Sequence, residues 1–348
     1  MSNKQLGAYT LPGRSIHPRL AIEQSQIAEE IGLGTIWLSE RFGTKDAATV
    51  IGAMAQATST INLGVGITHF QTRHPLALAS MALTLQSLSQ GRFILGMGRS
   101  VPMLMKAWGL PPSTNELLID GVRVIKALMN GERVKYDGPL GTFPVLQIND
   151  LPEVTPPPVM LAAIGPISLD LAGANYDGVI LHPFLSLDAQ RNSVEIARAA
   201  AEKAGKDPAA LHVAATVVAA PDTTQEETDM RVRARLITYL NAPGLGTALV
   251  KANDWDPGVI DAINAHPLIA ALGRRPADGA LNHEQLVEVS QVVPDYWFTD
   301  AAAIGTTEQV AVRLQEYLDA GADEILIHGS TPEYLAPTVK AVDALNKH

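Results

Sequence analysis

The sequence of 348 residues predicts a (β/α)8 barrel. Short apolar segments alternate with longer segments of helical period, and eight such strand–helix units can be counted along the chain. The short segments are continuously apolar instead of alternating, which is typical of parallel strands covered by helices. Eight units of this kind close most naturally into a ring, and an open doubly wound sheet is the alternative.

Each element follows from its own residues. Strands are recognised by β-branched or apolar runs, and they are predicted at 7–10, 35–39, 61–67, 93–97, 159–163, 178–181, 211–219 and 324–328. Helices are recognised by apolar residues three and four positions apart, and they are predicted at about 20–31, 46–58, 75–88, 188–204, 225–240 and 332–345. Another helix opens near Ile167, and one before the last strand has an apolar stripe of Val310, Leu314 and Leu318. Gly32 and Gly91 end the first and third helices, and Asp46 caps the second.

Two segments interrupt the alternation. Residues 130–158 are rich in glycine and proline, which predicts a hairpin or an extended excursion, and residues 241–306 have mostly helical period. We treat 1–348 as one barrel domain with these two segments as insertions. Loops of this length usually form lids or binding elements, so the second insertion is expected to roof the substrate site; an insertion that only dimerises or pads the barrel is the alternative.

Composition excludes several classes of function. The chain has no cysteine, which excludes a thiolate nucleophile, a disulfide scaffold and a Cys-ligated metal. The formal net charge of -10, without a basic stripe, argues against nucleic acid as a partner. No amino-terminal signal region and no apolar run of membrane-spanning length are visible, so we expect a cytoplasmic protein that binds no membrane.

In a barrel the reacting groups lie at the carboxyl ends of the strands. The second strand is followed by residues 39–42, which include Glu40 and Arg41, and the third by His69. Glycines at 64 and 66 predict a bulge in the third strand, against which a flat ring could stack with His69 as donor or acid. The alternatives are structural: a rim role for Glu40 and Arg41, and a structural histidine at 69.

Other motifs give weaker signals. Gly96-Met97-Gly98 is not the dinucleotide fingerprint, because no third glycine follows at the required offset. Residues 165–168, Gly165-Pro166-Ile167-Ser168, open a helix whose backbone N–H groups could hold a phosphate, although they could equally be a simple helix start. Residues 329–331 compete for the same role. We predict no metal site, because His182 and His328 are better explained as structural residues.

Four segments together resemble the luciferase-like flavin and deazaflavin oxidoreductases. They are AEEIGLGTIWLSER, INLGVGITHFQTRHPLALASMALTLQSLSQGRFILGMG, PPPVMLAAIGPISLDLAGANYDGVI and GTTEQVAVRLQEYLDAGADEILIHG, of which SQGRFILGMG is the most specific. The resemblance implies a (β/α)8 barrel, commonly a homodimer, that binds FMN or coenzyme F420 at its carboxyl-terminal face. In the deazaflavin branch a non-prolyl cis peptide after the third strand supports the ring.

The resemblance also implies site residues. The counterpart of the cis-peptide bulge lies around Gly66, Ile67 and Thr68. The phosphate-bearing tail of the coenzyme would meet Gly98, Arg99 and the turn formed by Gly165, Pro166, Ile167 and Ser168.

The sequence departs from the family pattern at two positions. Many relatives carry an acidic residue followed by a histidine after the second strand, where this chain has Glu40-Arg41, and arginine stays protonated and cannot act as a general base. Some dehydrogenases have a glutamate after the fourth strand, where this chain has Val101. Sugar or alcohol dehydrogenation is therefore disfavoured. Reduction of an activated double bond or carbonyl fits better, with Arg41 polarising an oxygen and His69 donating a proton.

Our leading hypothesis is a coenzyme F420-dependent oxidoreductase that moves hydride between the deazaflavin and a small, fairly apolar organic substrate. One alternative is an FMN-dependent monooxygenase that takes reduced flavin from a partner reductase and activates oxygen. The other is a barrel that binds a flavin or deazaflavin without turnover.

Overall fold

The computed structural model describes residues 3–12, 15, 17–41, 45–100, 102–273 and 275–346, with the side chains of residues 3 and 4 excepted. Phe42 and Val101, two of the positions considered from the sequence, lie outside these residues. None of the described helices combines the length and the apolar character that a membrane crossing requires.

Eight parallel strands form a closed ring. The described residues contain eleven strands in all: β1 (Asn3–Thr10), β2 (Leu33–Leu38), β3 (Asn62–Thr68), β4 (Phe93–Met97), β5 (Val134–Gly138), β6 (Gly141–Leu146), β7 (Val159–Ala163), β8 (Gly178–Leu181), β9 (His212–Pro221), β10 (Ala303–Gly305) and β11 (Glu324–His328). The ring runs β1-β2-β3-β4-β7-β8-β9-β11 and returns to β1. The predicted (β/α)8 barrel is confirmed, and the open sheet is excluded because β11 pairs with β1 and β8 pairs with β9.

Helices cover the outside of this ring. They are α1 (Leu20–Glu30), α2 (Ala47–Ala57), α3 (Pro75–Leu88), α4 (Pro102–Ala107), α5 (Asn115–Met129), α6 (Pro166–Asn175), α7 (Leu187–Lys203), α8 (Gln225–Thr228), α9 (Ala234–Leu240), α10 (Leu245–Ala252), α11 (Gly258–Ala265), α12 (Pro267–Ala270), α13 (His283–Val289), α14 (Asp295–Asp300), α15 (Thr307–Asp319) and α16 (Ala336–Leu345). Short 3₁₀ turns lie at Phe70–Thr72, Pro208–Ala210, Ser290–Val292 and Pro332–Tyr334. Asp46 caps α2 as predicted, since its carboxylate accepts from the Thr49 N–H at 2.9 Å.

The segment after β9 is one helix with a change of winding. Between α8 and α9, Asp229–Arg233 forms a π-helical turn, so that 225–240 runs as α, then π, then α. The sequence predicted a helix over the same residues without this turn. A π turn accommodates one extra residue per turn, and such turns are frequent at functional sites.

Both interruptions of the barrel pattern have secondary structure of their own. Residues 130–158 contain the antiparallel hairpin β5–β6, as the sequence predicted. Residues 241–306 contain α10 to α14 and end in β10, which adds to the sheet by pairing with β9. Trp255 and Trp297 stack inside this second segment with ring centroids 4.2 Å apart. Helix α5, which precedes the hairpin, was not predicted.

The interior of the ring is filled by large side chains. Tyr9, Trp37, Met160 and Leu326 project into it and are buried. Gly64 makes room for the indole of Trp37, because a Cβ at this position would lie 2.3 Å from Trp37 Cε3. The barrel therefore has a packed core, and a ligand is expected at its carboxyl-terminal face, where barrel enzymes place their sites.

A buried carboxylate closes the opposite, amino-terminal end. Glu324 accepts hydrogen bonds from the Thr35 hydroxyl, from the Trp37 indole at 3.5 Å, and from the His212 ring at 3.0 Å. Burial alone would lower the pKa of His212, but the hydrogen bond and negative charge of Glu324 outweigh it and raise that pKa. This network lies far from the strand ends where chemistry is expected, so we assign it to stability.

Candidate active site

The third strand carries a bulge at its carboxyl end. The peptide bond between Gly66 and Ile67 is cis, and the pairing of β3 with β4 shifts register between Val65 and Thr68. The absence of a side chain at Gly66 is required, because a Cβ there would lie 2.6 Å from the Tyr9 hydroxyl oxygen. The bulge is thus pressed against the aromatic ring of Tyr9, at the position that the resemblance indicated.

Glu40 holds this bulge in place. Its carboxylate, whose side chain is fully buried, forms a two-pronged ion pair with Arg73, with N···O distances of 2.5 and 2.8 Å. It also accepts from the Thr68 hydroxyl and from the Ala47 N–H at the start of α2. With four donors around it, Glu40 connects β2 to the end of β3, and the arrangement is that of a positioning residue.

Arg41 and Glu40 have different partners, although they are adjacent in the sequence. Its guanidinium pairs with Asp278, at 3.1 Å, from the segment 241–306, and its side chain is 35% exposed. Its backbone forms an isolated bridge with that of Lys45. Arg41 thus joins the end of β2 to the second insertion while leaving part of its charge accessible at the carboxyl-terminal face.

His69 lies beside the bulge and faces the end of β4. Its Nδ1 is 3.2 Å from the Gly98 carbonyl oxygen, and since a carbonyl only accepts, Nδ1–H is the donor. Burial lowers the pKa of His69 although the Gly98 hydrogen bond and Glu40 oppose it. The imidazole is therefore neutral near pH 7, with its one N–H group bound to backbone. This geometry favours a positioning role over the proton donation expected from the sequence.

The remaining predicted residues line the neighbouring strand ends. Gly98 contacts the bulge, because a Cβ there would overlap the side chain of Ile67. The Arg99 guanidinium donates to the Ser113 carbonyl and to the Asn115 amide oxygen, which fixes it against the start of α5. Arg99 is thus engaged by protein groups, an arrangement that the sequence did not indicate.

The first turn of α6 is open. Gly165 precedes this helix without a side-chain cap, and a Cβ on Gly165 would meet no atom within 4 Å. Ile167 is 69% exposed, and Pro166 fills the first helical position, where an N–H would have no partner. The Ile167 N–H has no partner among the described residues, whereas the Ser168 N–H already donates to the Gly165 carbonyl at 3.0 Å, so this helix start offers one free donor to an anion.

A cluster of basic and aromatic side chains was missed by sequence reasoning. Lys45 is fully buried, donates to the Leu11 carbonyl at 2.7 Å, and lies 3.5 Å from the Ser39 hydroxyl. Arg235 of α9 places Nη1 3.5 Å from His328 Nε2, and the His328 ring packs on Tyr9 at 4.9 Å. The sequence signal for this cluster is the placement of His328 at a strand end, which is explained above as a structural residue.

These observations define a (β/α)8-barrel protein with a candidate site at the carboxyl ends of its strands, around the bulge of β3 and a set of arginines and histidines. A family model described as luciferase-like monooxygenase matches residues 2–324, and the chain belongs to this family. The resemblance seen in the sequence is confirmed.

Two relatives and one solved structure are similar to this chain over most of its length. The chain is 26% identical over 310 residues to a 5,10-methylenetetrahydromethanopterin reductase of Methanolobus tindarius, covering 87% of each chain. It is 23% identical to an F420-dependent glucose-6-phosphate dehydrogenase of Amycolatopsis mediterranei, covering 92% of this chain and 91% of the relative. Among solved structures, the F420-dependent tetrahydromethanopterin reductase of Methanopyrus kandleri superposes with a TM-score of 0.76 at 21% identity, covering 99% of both chains.

Proposed function

We propose that the protein is a coenzyme F420-dependent oxidoreductase that transfers hydride between the deazaflavin and a small organic substrate. The observation that carries the proposal is the bulge at the end of β3, where the register against β4 shifts and Gly66 lies against Tyr9, at the position where the deazaflavin branch of the family supports its ring. The names of relatives add support. An F420-dependent hydroxymycolic acid dehydrogenase matches 55% of this chain, and an F420-dependent glucose-6-phosphate dehydrogenase matches 92% of it.

The described residues fit this coenzyme. The bulge, formed by Gly66, Ile67 and Thr68, offers a ledge without a projecting side chain at Gly66. The uncapped first turn of α6, at residues 165–168, leaves the Ile167 N–H available to the phosphate-bearing tail. Gly98 and Arg99 lie between these two places, at the end of β4. When bound, the deazaflavin supplies or accepts the hydride.

The protein contributes position and charge. Arg41 would polarise a carbonyl or other oxygen of the substrate, since its guanidinium stays protonated and is partly exposed. Glu40 would fix the bulge through Thr68 and Arg73, and neutral His69 would fix the end of β4 through the Gly98 carbonyl. The segment 241–306 would roof the substrate, because Asp278 in that segment contacts Arg41.

Coenzyme choice is tested by titrating the purified protein with F420 and, separately, with FMN, following the fluorescence of each. We expect F420 to bind and FMN to bind far more weakly. Tight binding of FMN without binding of F420 would overturn the proposal in favour of an FMN-dependent monooxygenase. Binding of F420 with no hydride exchange across a broad substrate panel would favour the non-catalytic barrel.

Two matched variants of Gly165 test whether the phosphate-bearing tail of F420 binds at the start of α6. Gly165 has ordinary extended dihedrals and open space around its Cβ, so Gly165→Asp and Gly165→Asn should both fold. Asp places a negative charge at the helix start and should weaken F420 binding about tenfold or more, whereas the isosteric Asn should not. Equal affinity of the two variants for F420 would contradict the assignment of its phosphate to the start of α6.

We also propose that the protein is a cytoplasmic homodimer, as is common for the family, and that 1–348 forms one barrel domain with its two insertions. Light scattering on the purified protein tests the oligomeric state. A monomer at micromolar concentration would contradict it.

A further inference from the structure

A group of basic side chains lies at the carboxyl-terminal face, on the side formed by β1, β2, β9 and β11, and among the described residues neither Arg235 Nε nor His328 Nδ1 has an acceptor. Arg235 reaches it from α9, His328 from the end of β11, and Lys45 from the loop after β2. We call these three residues the donor cluster. Arg41 stands at its edge, bridged to Lys45 through the backbone.

The donors of Arg235 are only partly used. Nη1 lies 3.5 Å from His328 Nε2, and within the described part of the chain no hydrogen bond or ion pair involves Nη2. Because the guanidinium can only donate, His328 Nε2 is the acceptor of this contact and the ring proton sits on Nδ1. Nδ1 is buried, and His328 is only 8% exposed, yet no acceptor for this N–H is found among the described residues.

The charges around His328 also favour the binding of an anion. Arg41 is paired with Asp278, but Arg235 has no carboxylate partner in the ranges that the structure covers. Burial lowers the pKa of Lys45 to about 8, with Arg41 and Arg235 contributing, so Lys45 is mostly protonated at pH 7. Burial also lowers the pKa of His328, and nearby Arg235, Lys45 and Arg41 lower it further. Several positive groups thus act on one buried ring, which is costly unless an anion joins them.

We propose that the donor cluster binds a carboxylate of the substrate. The inference rests on the proposed function, since it names a chemical feature of the substrate bound at that same face. A carboxylate fits better than a phosphate dianion, because Lys45 already donates to the Leu11 carbonyl and Arg41 is held by Asp278, which leaves the Arg235 guanidinium as the principal planar donor. The bound substrate would thus be anchored opposite the bulge at Gly66, with Tyr9 between them.

The probes are cinnamate and cinnamamide, which share shape and a conjugated double bond but differ in charge. Calorimetric titration of the F420-loaded protein should show cinnamate binding at least about tenfold more tightly than cinnamamide. The preference should shrink to about twofold or less in Arg235→Gln. It should persist in Arg233→Gln, a matched control on the neighbouring turn, because Arg233 is already paired with Asp229 and Asp295.

Several outcomes would overturn the inference. Cinnamate binding no tighter than cinnamamide, or not at all, in the unmodified protein refutes it without any variant. So does an unchanged preference in a folded Arg235→Gln protein, with folding checked by circular dichroism and thermal melting.

The same titration repeated without coenzyme separates this inference from the proposed function. Carboxylate preference in a protein that fails to bind F420 would support the donor cluster and refute the coenzyme assignment. Binding of F420 without any carboxylate preference would do the reverse.

Discussion

Replacing Arg73 with methionine tests the role assigned to Glu40. The substitution keeps much of the aliphatic volume and removes both hydrogen bonds to a carboxylate whose side chain is fully buried. Breaking a buried pair by removing one partner typically costs 3–5 kcal/mol. Glu40 would keep its bonds from the Thr68 hydroxyl and the Ala47 N–H, so we expect the lower end, about 3 kcal/mol.

The size of the thermal shift follows from the length of the chain. An unfolding entropy of about 2.1 cal/mol/K per residue gives about 0.7 kcal/mol/K for the whole protein, so a loss of about 3 kcal/mol lowers Tm by about 4 °C. Urea unfolding of the wild type and Arg73→Met measures the free energy directly. We also expect weaker F420 binding, because Thr68 belongs to the bulge.

Two further proteins make this experiment decisive. Arg123→Met removes an ion pair with Asp120 in which the arginine side chain is 65% exposed, and it should change stability by less than about 0.5 kcal/mol. Combining Arg73→Met with Glu40→Gln removes the uncompensated charge and should restore about 1–2 kcal/mol. A loss in Arg73→Met no larger than that in Arg123→Met would refute the positioning role of Glu40.

Three other predictions concern the frame of the barrel. Gly64→Ala should destabilise by about 1–3 kcal/mol in urea unfolding, because its Cβ would overlap the buried indole of Trp37; unchanged stability would mean that this ring is free to move. Because its pKa is raised in the folded state, protonated His212 stabilises the fold fully below about pH 6.5 and progressively less as the pH rises through the folded pKa. The Tm difference between the wild type and His212→Gln should therefore be larger at about pH 5.5 than at about pH 8.5. Equal differences at the two pH values would contradict the pairing with Glu324. Burial opposes ionisation of Glu29, but hydrogen bonds from the backbone N–H groups of residues 59–61 outweigh it and lower its pKa to about 2. Glu29→Gln should therefore reduce the free energy of unfolding by about 1–2 kcal/mol at pH 7, and this loss should fade as the pH falls below about 4.5. A loss independent of pH would exclude the charge of Glu29 as its source.

The strands were predictable because each is a continuous apolar run, and this pattern is imposed by burial on both faces of the sheet. β4, β7, β8 and β11 begin and end where the sequence indicated. The bulge was predictable from paired glycines, which allow backbone and aromatic ring to approach closely. Helix α5 was missed although Thr114 caps it and Leu117, Leu118 and Val122 form its buried face, so this signal was present in the sequence.

The partners of the polar residues were not predictable in the same way. Glu40 and Arg73 are 33 residues apart, and their pairing depends on how the loops after β2 and β3 turn toward each other. The contact between Arg235 and His328 spans 93 residues and depends on the rotation of a helix. A sequence pattern specifies which face of an element is apolar, but it does not specify which polar atoms meet across a strand end.

The π turn at Asp229–Arg233 determines that rotation. One residue more than an α-helix would hold is wound into this stretch, and each residue advances a helix by about 100°. Every side chain downstream is therefore turned by that angle relative to a regular helix, including Arg235. A single-residue insertion or deletion here would therefore re-aim the Arg235 guanidinium together with the buried face of α9, which includes Leu236 and Ile237.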